Sequence, residues 1–297
     1  MNISAALHTD RMCKALTGLT RREFANLVID FSWNYREYEA KRRPDRVRKL
    51  GGGRTPYLAT TSDKLFYVLY YLKVYPTFDL ASFQVGFARS HACEWLHLLL
   101  PILETTMQRK FVLPKRQISS PEEFSKLFPD AKDVFVDGME RSIQRSKNKK
   151  KQQKNYSGKK KMHTRKAVIL SDKDRRVLVV TPSKSGRRHD KRLADKASLF
   201  ENLPDNVEAF ADTAFTGVQK VHPKSYIPQK KPKGRNLTLE EKEMNRIISS
   251  LRVVVEHAIG GIKRYGCMSG KLRSRKPAID DKFLLISSGL WNYHLAT

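Results

Sequence analysis

The chain has 297 residues, 40% of them hydrophobic, which is enough for one large domain or two ordinary domains with buried cores and argues against wholesale disorder. Lysine and arginine total 58 against 30 acidic residues, a formal net charge of +28. This excess favours a polyanionic partner, with nucleic acid ahead of an anionic membrane; the alternative is a basic surface that only confers solubility.

The cysteines and the N-terminus carry no export or cross-linking signal. Cys13, Cys93 and Cys267 lie far apart and form no C-x-x-C pair, so they predict reduced thiols rather than a zinc knuckle or disulfide framework. The N-terminus has no signal-peptide pattern, and no stretch approaches the ~20 apolar residues of a membrane span. We expect a cytoplasmic protein with no membrane partner, associated with the nucleoid if the source is bacterial.

The first hundred residues predict helices. Residues 17–38 place apolar side chains at helical spacing behind a capping box at Thr20 and Glu23. Residues 40–57 are basic, contain three consecutive glycines and lack an apolar period, which predicts a loop or an arm that either tracks a DNA backbone or is simply solvated.

Three further helices are predicted between residues 61 and 107, with Asp79 and Ser90 as N-caps and Gly86 near the bend between the second and third. This pattern fits a helix-turn-helix, and an ordinary three-helix bundle fits it equally well. In a helix-turn-helix, base edges are read near the N-terminus of the last helix, at Arg89, Ser90 and His91.

After a connector, the pattern changes to short β-rich runs, namely DVFVDG, TRKAVILSD and RRVLVVTPS, then a polar helix, the run VEAFADTAF and a brief SYIPQ. Two helices follow, the first behind a capping box at Thr238 and Glu241. This order is the one expected of a ribonuclease-H-like α/β domain.

Two aspartates follow apolar runs. Asp137 ends VFVD and Asp212 follows EAFA, so each is expected where a strand delivers a side chain to the sheet edge. Taken singly, each is more simply a turn-forming aspartate.

The third carboxylate lies in a helix. Glu256 shares a helix face with Asn245, Arg252 and Lys263, within roughly 40° at about 100° per residue. The alternative is the solvated face of an amphipathic helix, but here a lone glutamate stands between two cations.

Three converging carboxylates can hold two divalent ions for phosphoryl transfer, and oxygen-only ligands favour Mg²⁺, with Mn²⁺ as a substitute. Such a centre at Asp137, Asp212 and Glu256 would cut a DNA strand, and the freed 3′ hydroxyl would then attack target DNA. Arg252 and Lys263 would neutralise phosphate charge beside it.

A lysine-rich run lies between the first two predicted strands. Residues 141–171 contain no acidic residue, and the run includes Lys159, Lys160 and Lys161. We expect it to bind DNA backbone beside the catalytic edge; its alternative is a mobile, solvated loop.

Five ordered motifs lie between residues 136 and 263: VDGME at 136–140, YSGKKKMHT at 156–164, SGRRHD at 185–190, FADTAFTG at 210–217, and NR with R-x3-E-x6-K at 245–263. In these motifs the chain resembles the DDE superfamily endonucleases, specifically transposases of the insertion-sequence-five group and their eukaryotic Harbinger relatives. The resemblance implies that Asp137, Asp212 and Glu256 form the catalytic triad. It leaves the roles of His189 and Asp190 open between the active site and a helix cap.

These patterns together predict an α/β protein with a helical N-terminal region at 1–110 carrying the helix-turn-helix, a connector at 111–132 and a ribonuclease-H-like catalytic domain at 133–297. The predicted function is a transposase that acts as a dimer or higher oligomer on double-stranded DNA, binding the terminal inverted repeats and joining them to target DNA. The alternatives are a nuclease without strand transfer and a non-catalytic, sequence-specific DNA-binding protein.

Overall fold

The computed structural model describes residues 2–45, 47 and 55–297, so the predicted basic arm at 40–57 lies partly outside the described residues. The chain divides into two compact units. The helical unit comprises Met1–Leu113, Lys263–Gly270 and Lys282–Thr297, and the sheet unit comprises Pro114–Ile262 and Lys271–Asp281.

The helices of the described residues follow the predicted order, with additional short ones. They are α1 (Ile3–Ala6), α2 (Asp10–Thr17), α3 (Arg21–Arg42), α4 (Thr61–Val74), α5 (Phe78–Val85), α6 (Arg89–Arg109), α7 (Pro121–Leu127), α8 (Lys149–Asn155), α9 (Asp190–Lys196), α10 (Leu239–Lys263), α11 (Gly266–Ser269) and α12 (Ile279–Ala296). None of the helices in the described part of the chain has the length and apolarity that crossing a bilayer requires.

All strands found in residues 2–45, 47 and 55–297 belong to the sheet unit. They are β1 (Asp133–Ser142), β2 (Tyr156–Ser157), β3 (Met162–Asp172), β4 (Val177–Val180), β5 (Lys184–Ser185), β6 (Glu208–Ala211) and β7 (Ser225–Tyr226). β3 pairs antiparallel with β1, β2, β4 and β5, while β6 pairs in parallel with β1 on one side and β7 on the other. The chain is therefore a mixed α/β protein with a helical N-terminal region.

The helical unit is organised around α4. Every residue from Lys64 to Leu72 is buried, as expected for a helix that neighbouring helices surround. Even Lys64 is accommodated, because its ammonium donates to the carbonyl oxygen of Leu58 at 2.6 Å. The predicted capping box at Thr20 and Glu23 is confirmed at the start of α3.

The predicted helix starts after Val74 need correction. Thr77, rather than Asp79, caps α5, and its side chain accepts a hydrogen bond from the backbone N–H of Leu80. Ala88 precedes α6 without a side-chain cap, so Ser90 lies inside the helix. Gly86 ends α5 in the left-handed conformation at φ 89°, which a residue with a side chain adopts only under strain.

The sheet unit has its own apolar core between the sheet and its helices. Val134, Val136, Val168 and Leu170 from the central strands pack with apolar side chains of α7, α9 and the segments around them. The helix α10 begins at the predicted capping box, where Thr238 and Glu241 exchange hydrogen bonds of 2.8 and 3.1 Å. The lysine-rich run is not a simple loop, because α8 and β2 form within it.

Candidate active site

The two aspartates lie on neighbouring strands of the sheet unit. The parallel pairing of β1 with β6 ends at Val136 opposite Ala211, so Asp137 and Asp212 are each the next residue along their chains. Asp212 directly follows its strand, as predicted. Asp137 does not end its strand, because β1 continues to Ser142 through antiparallel pairing with β3.

Local backbone donors orient both carboxylates. Oδ1 of Asp137 accepts a hydrogen bond from the backbone N–H of Gly138 at 2.7 Å, and Oδ1 of Asp212 accepts one from the N–H of Thr213 at 2.6 Å. The hydroxyl of Thr213 donates to the same Asp212 oxygen at 3.3 Å. These hydrogen bonds fix the orientation of each carboxylate and leave its other oxygen, Oδ2, to contact a ligand.

Arg252 of α10 lies between the two aspartates. Its Nη2 is 3.5 Å from Oδ2 of Asp137, and its Nη1 is 3.8 Å from Oδ1 of Asp212. These distances are those of loose ion pairs rather than well-formed hydrogen bonds. One cation thus brings both predicted catalytic aspartates together.

Burial dominates the electrostatics of Asp137. It raises the pKa of this carboxyl above its ordinary value, and the nearby carboxylates of Asp212 and Asp190 add to the rise. The N–H of Gly138 and the guanidinium of Arg252 oppose it without cancelling it. A half-buried carboxylate with a raised pKa is a common feature of functional sites.

Asp190, whose role the sequence leaves open, is a neighbour of Asp137. A Cβ atom on Gly138 would lie 2.7 Å from Cγ of Asp190, so glycine is required where this carboxylate packs against β1. Asp190 lies 3.3 Å from the ammonium of Lys166, which is also 3.1 Å from Glu140. Burial lowers the pKa of Lys166, but Asp190 and Glu140 outweigh it and raise that pKa.

Glu256 is exposed and lies one turn after Arg252 on α10. Within the described part of the chain its side chain forms no hydrogen bond or ion pair, and no three His, Cys, Asp or Glu side chains there are grouped closely enough to hold a metal ion. The structure therefore brings Asp137 and Asp212 together and leaves Glu256 outside their cluster. The triad as a whole stays a prediction.

The residues present fit a divalent cation in part. Asp137 and Asp212 provide the hard oxygen donors that Mg²⁺ and Mn²⁺ prefer. Arg252 shows that the pair already attracts positive charge.

The predicted DNA-binding residues of the sheet unit have different environments. Lys159, Lys160 and Lys161 are exposed in the turn between β2 and β3. The side chain of Asn245 is instead engaged with the backbone of Gln229, accepting from its N–H at 2.7 Å and donating to its carbonyl at 2.9 Å.

The predicted DNA-binding residues of the helical unit are all exposed. Arg89, Ser90 and His91 form the first turn of α6, where Arg89 pairs with Asp79 at 3.1 Å, and Lys263 is the last residue of α10.

Comparison with known proteins agrees with the motifs. A family model described as DDE superfamily endonuclease matches residues 136–292, slightly more than half of the chain. A probable transposase for insertion sequence element IS702 from Microchaete diplosiphon is 31% identical over 289 residues, which cover 97% of this chain and 96% of that protein. No solved structure matches the chain. The chain therefore belongs to the DDE superfamily endonucleases, among the insertion-sequence transposases.

Proposed function

We propose that the protein binds the terminal inverted repeats of its insertion sequence, cuts the DNA there and joins the 3′ ends to target DNA. The observation that carries the proposal is the placement of Asp137 and Asp212 side by side, both in ion-pair contact with Arg252. Family membership indicates the class of reaction, and we propose that the phosphate reacts beside Asp137 and Asp212.

The sheet supports a ribonuclease-H-like catalytic domain. Three antiparallel strands, β4, β3 and β1, are followed by β6 and β7 in parallel with β1. Asp137 lies on β1, and Asp212 directly follows the adjacent strand β6. The proposed catalytic domain keeps the predicted bounds of 133–297, which contain β1 to β7 and α8 to α12.

The helical N-terminal region at 1–110 is proposed to bind the DNA ends. Its α5 and α6 follow each other across Gly86 with only three residues between them, as a helix-turn-helix requires. Arg89, Ser90 and His91 are exposed at the start of α6, so they are available to base edges. Two DNA ends must be brought together for joining, which is why a dimer or larger oligomer on DNA is part of the proposal.

In the proposed mechanism, Asp137 and Asp212 would hold a divalent cation, and Glu256 would be the third ligand of a two-ion centre. The bound cation supplies Lewis-acid activation of the attacking oxygen and neutralises charge at the reacting phosphate. The backbone N–H groups of Gly138 and Thr213 fix the direction of the two aspartates. Arg252 provides a guanidinium beside them that can neutralise phosphate charge.

The test is cleavage and joining of DNA that carries the element's own ends, with Mg²⁺ or Mn²⁺ present. Asp212→Asn should lower the cleavage rate by about a thousandfold or more, equivalent to about 4 kcal/mol of the barrier, while DNA binding is retained. The matched control is Asp205→Asn, an exposed aspartate in the loop before β6, which should cleave normally. Undiminished cleavage by Asp212→Asn would contradict the assignment.

The role of Glu256 is tested separately, because its side chain lies outside the aspartate pair. Glu256→Gln should abolish cleavage to the same extent, and Glu243→Gln, an exposed glutamate on the same helix, should not. Normal cleavage by Glu256→Gln would remove Glu256 from the centre and leave the aspartate pair. Cleavage without joining by the wild-type protein would favour the nuclease alternative.

A further inference from the structure

A cleft of about 440 Å³ in the sheet unit is lined mainly by lysine and arginine side chains. One wall is α8, with Lys150 and Lys154, and the other is the segment from β5 into α9, with Arg187, Arg188 and Arg192. The remaining lining residues are polar, so nothing apolar is offered to a base or an acyl chain. We call this feature the basic cleft.

The cations of the basic cleft are not neutralised by the protein. No carboxylate lines the cleft, and within the described residues none of these five side chains forms an ion pair. Nearby Lys191, in contrast, pairs with Asp195 at 2.9 Å. Five like charges around one cleft repel one another, and a polyanion relieves that repulsion.

Close packing joins the two walls. Gly186 belongs to the second wall, and its N–H donates to the carbonyl oxygen of Thr164 at 2.9 Å. A Cβ atom at this position would lie 2.0 Å from the hydroxyl oxygen of Thr164 and 3.0 Å from the carbonyl oxygen of Asn155, the last residue of α8. Because Gly186 has no side chain, the end of α8 can lie close to the segment before α9, and this close approach determines the width of the cleft.

The basic cleft adjoins the aspartate pair through α9. His189 lines the cleft, and the next residue, Asp190, packs its carboxylate against Gly138, the neighbour of Asp137. The cleft and the candidate active site are therefore linked by two consecutive residues, His189 in the cleft lining and Asp190 beside β1.

We infer that the basic cleft binds the sugar-phosphate backbone of the DNA strand that is delivered to Asp137 and Asp212. Since the lining offers charge and no base-sized apolar surface, recognition is independent of sequence. This inference rests on the proposed function, which identifies DNA as the ligand. It adds the site at which the DNA strand is bound.

The experiment measures binding of the full chain to a duplex of arbitrary sequence by fluorescence anisotropy across a salt series, with a chelator present so that no cleavage occurs. Each lost phosphate contact lowers the slope of log K against log salt concentration by roughly 0.9. Removing one cation from each wall with Lys154→Ala/Arg192→Ala should therefore lower the slope by about two. The charge-preserving variant Lys154→Arg/Arg192→Lys should keep the wild-type slope.

The control removes two lysines from another cleft of the same unit. Lys132→Ala/Lys173→Ala acts where Asp130, Asp133, Asp172 and Asp174 also line the surface, so the slope should stay at the wild-type value. Equal thermal unfolding midpoints show that the variants are folded.

Three results would overturn the inference. If the basic-cleft variant keeps the wild-type slope while the wild-type protein still cleaves DNA, the cleft is not a phosphate site and the proposed function stands. If the charge-preserving variant loses as much slope as the alanine variant, charge is not what the cleft contributes. Absence of DNA binding by the wild-type protein would overturn the proposed function together with the inference.

Discussion

In two side-chain clusters of the sheet unit, one cation lies between two carboxylates. The clusters differ in the distances between cation and carboxylate and in the exposure of the side chains. Lys166 lies 3.1 Å from Glu140 and 3.3 Å from Asp190, and its side chain is 9% exposed. Arg252 lies 3.5 Å from Asp137 and 3.8 Å from Asp212, whose side chains are 23% and 31% exposed. We call the first the lysine cluster and the second the arginine cluster.

The lysine cluster is a structural arrangement, whereas the arginine cluster is open to a ligand. In the lysine cluster both carboxylates form ion pairs with a buried ammonium, and the hydroxyl of Thr164 also donates to Glu140 at 2.9 Å. In the arginine cluster the carboxylates remain partly exposed, and the pKa of Asp137 stays raised, chiefly by burial, despite Arg252. The loose cluster is therefore the one in which a metal ion can take over the carboxylates.

The largest effect is expected from breaking the lysine cluster with Lys166→Met. This change leaves two carboxylates without their cation in a buried place, which should cost about 3–5 kcal/mol of the free energy of unfolding in urea. The matched control is Lys191→Met, which removes an exposed pair with Asp195 and should cost less than about 1 kcal/mol. Equal losses in both variants would show that the lysine cluster is not a structural support.

The same cluster predicts a pH dependence. Glu140 and Asp190 outweigh burial and raise the pKa of Lys166 above 10.5, so its stabilising contribution is fully present below the ordinary lysine pKa. The contribution is lost as the pH rises through the raised value. The difference in unfolding free energy between the wild type and Lys166→Met should therefore be constant from neutral pH to about 10 and shrink above it.

A smaller effect is expected from Gly138→Ala, which acts where the two clusters touch. The added Cβ would lie 2.7 Å from Cγ of Asp190 and push that carboxylate from its place beside Lys166. Overpacking of this kind costs about 1–3 kcal/mol, and cleavage should fall because Asp137 is the adjacent residue. Gly158→Ala is the control, since a Cβ there meets nothing within 4 Å, and it should change neither quantity.

The sequence predicts best what local signals determine. The capping boxes at Thr20 and Thr238 mark the true starts of α3 and α10, because their hydrogen bonds involve only residues three positions apart. The apolar runs predict the central strands for the same reason. In contrast, Asp137-Gly138 reads as a turn, and β1 continues through it because β3 pairs with it across long sequence distance.

Other features are set by tertiary contacts and lie beyond local patterns. The lysine-rich run has no apolar period, yet α8 forms there. Asn148 caps its N-terminus, and Asn155 at its C-terminus packs against Gly186. Asn245 shares a helix face with Arg252, but its side chain forms two hydrogen bonds with the backbone of Gln229. The lysine cluster joins residues from β1, β3 and α9, so no single segment contains its signal.

The smallest expected effect is a change in the free energy of unfolding whose sign is opposite in the two clusters. The ionised carboxylate of Asp137 is disfavoured in the folded protein, because burial raises its pKa. Asp137→Asn should therefore slightly raise the free energy of unfolding at neutral pH in chelator-containing buffer, even though cleavage is lost. A raised carboxyl pKa costs stability above that pKa and nothing below the unfolded value, so the gain should disappear as the pH falls into the acid range. A loss of stability at neutral pH would mean that Asp137, like Glu140 and Asp190, serves mainly to hold its cation, and the distinction between the two clusters would fail.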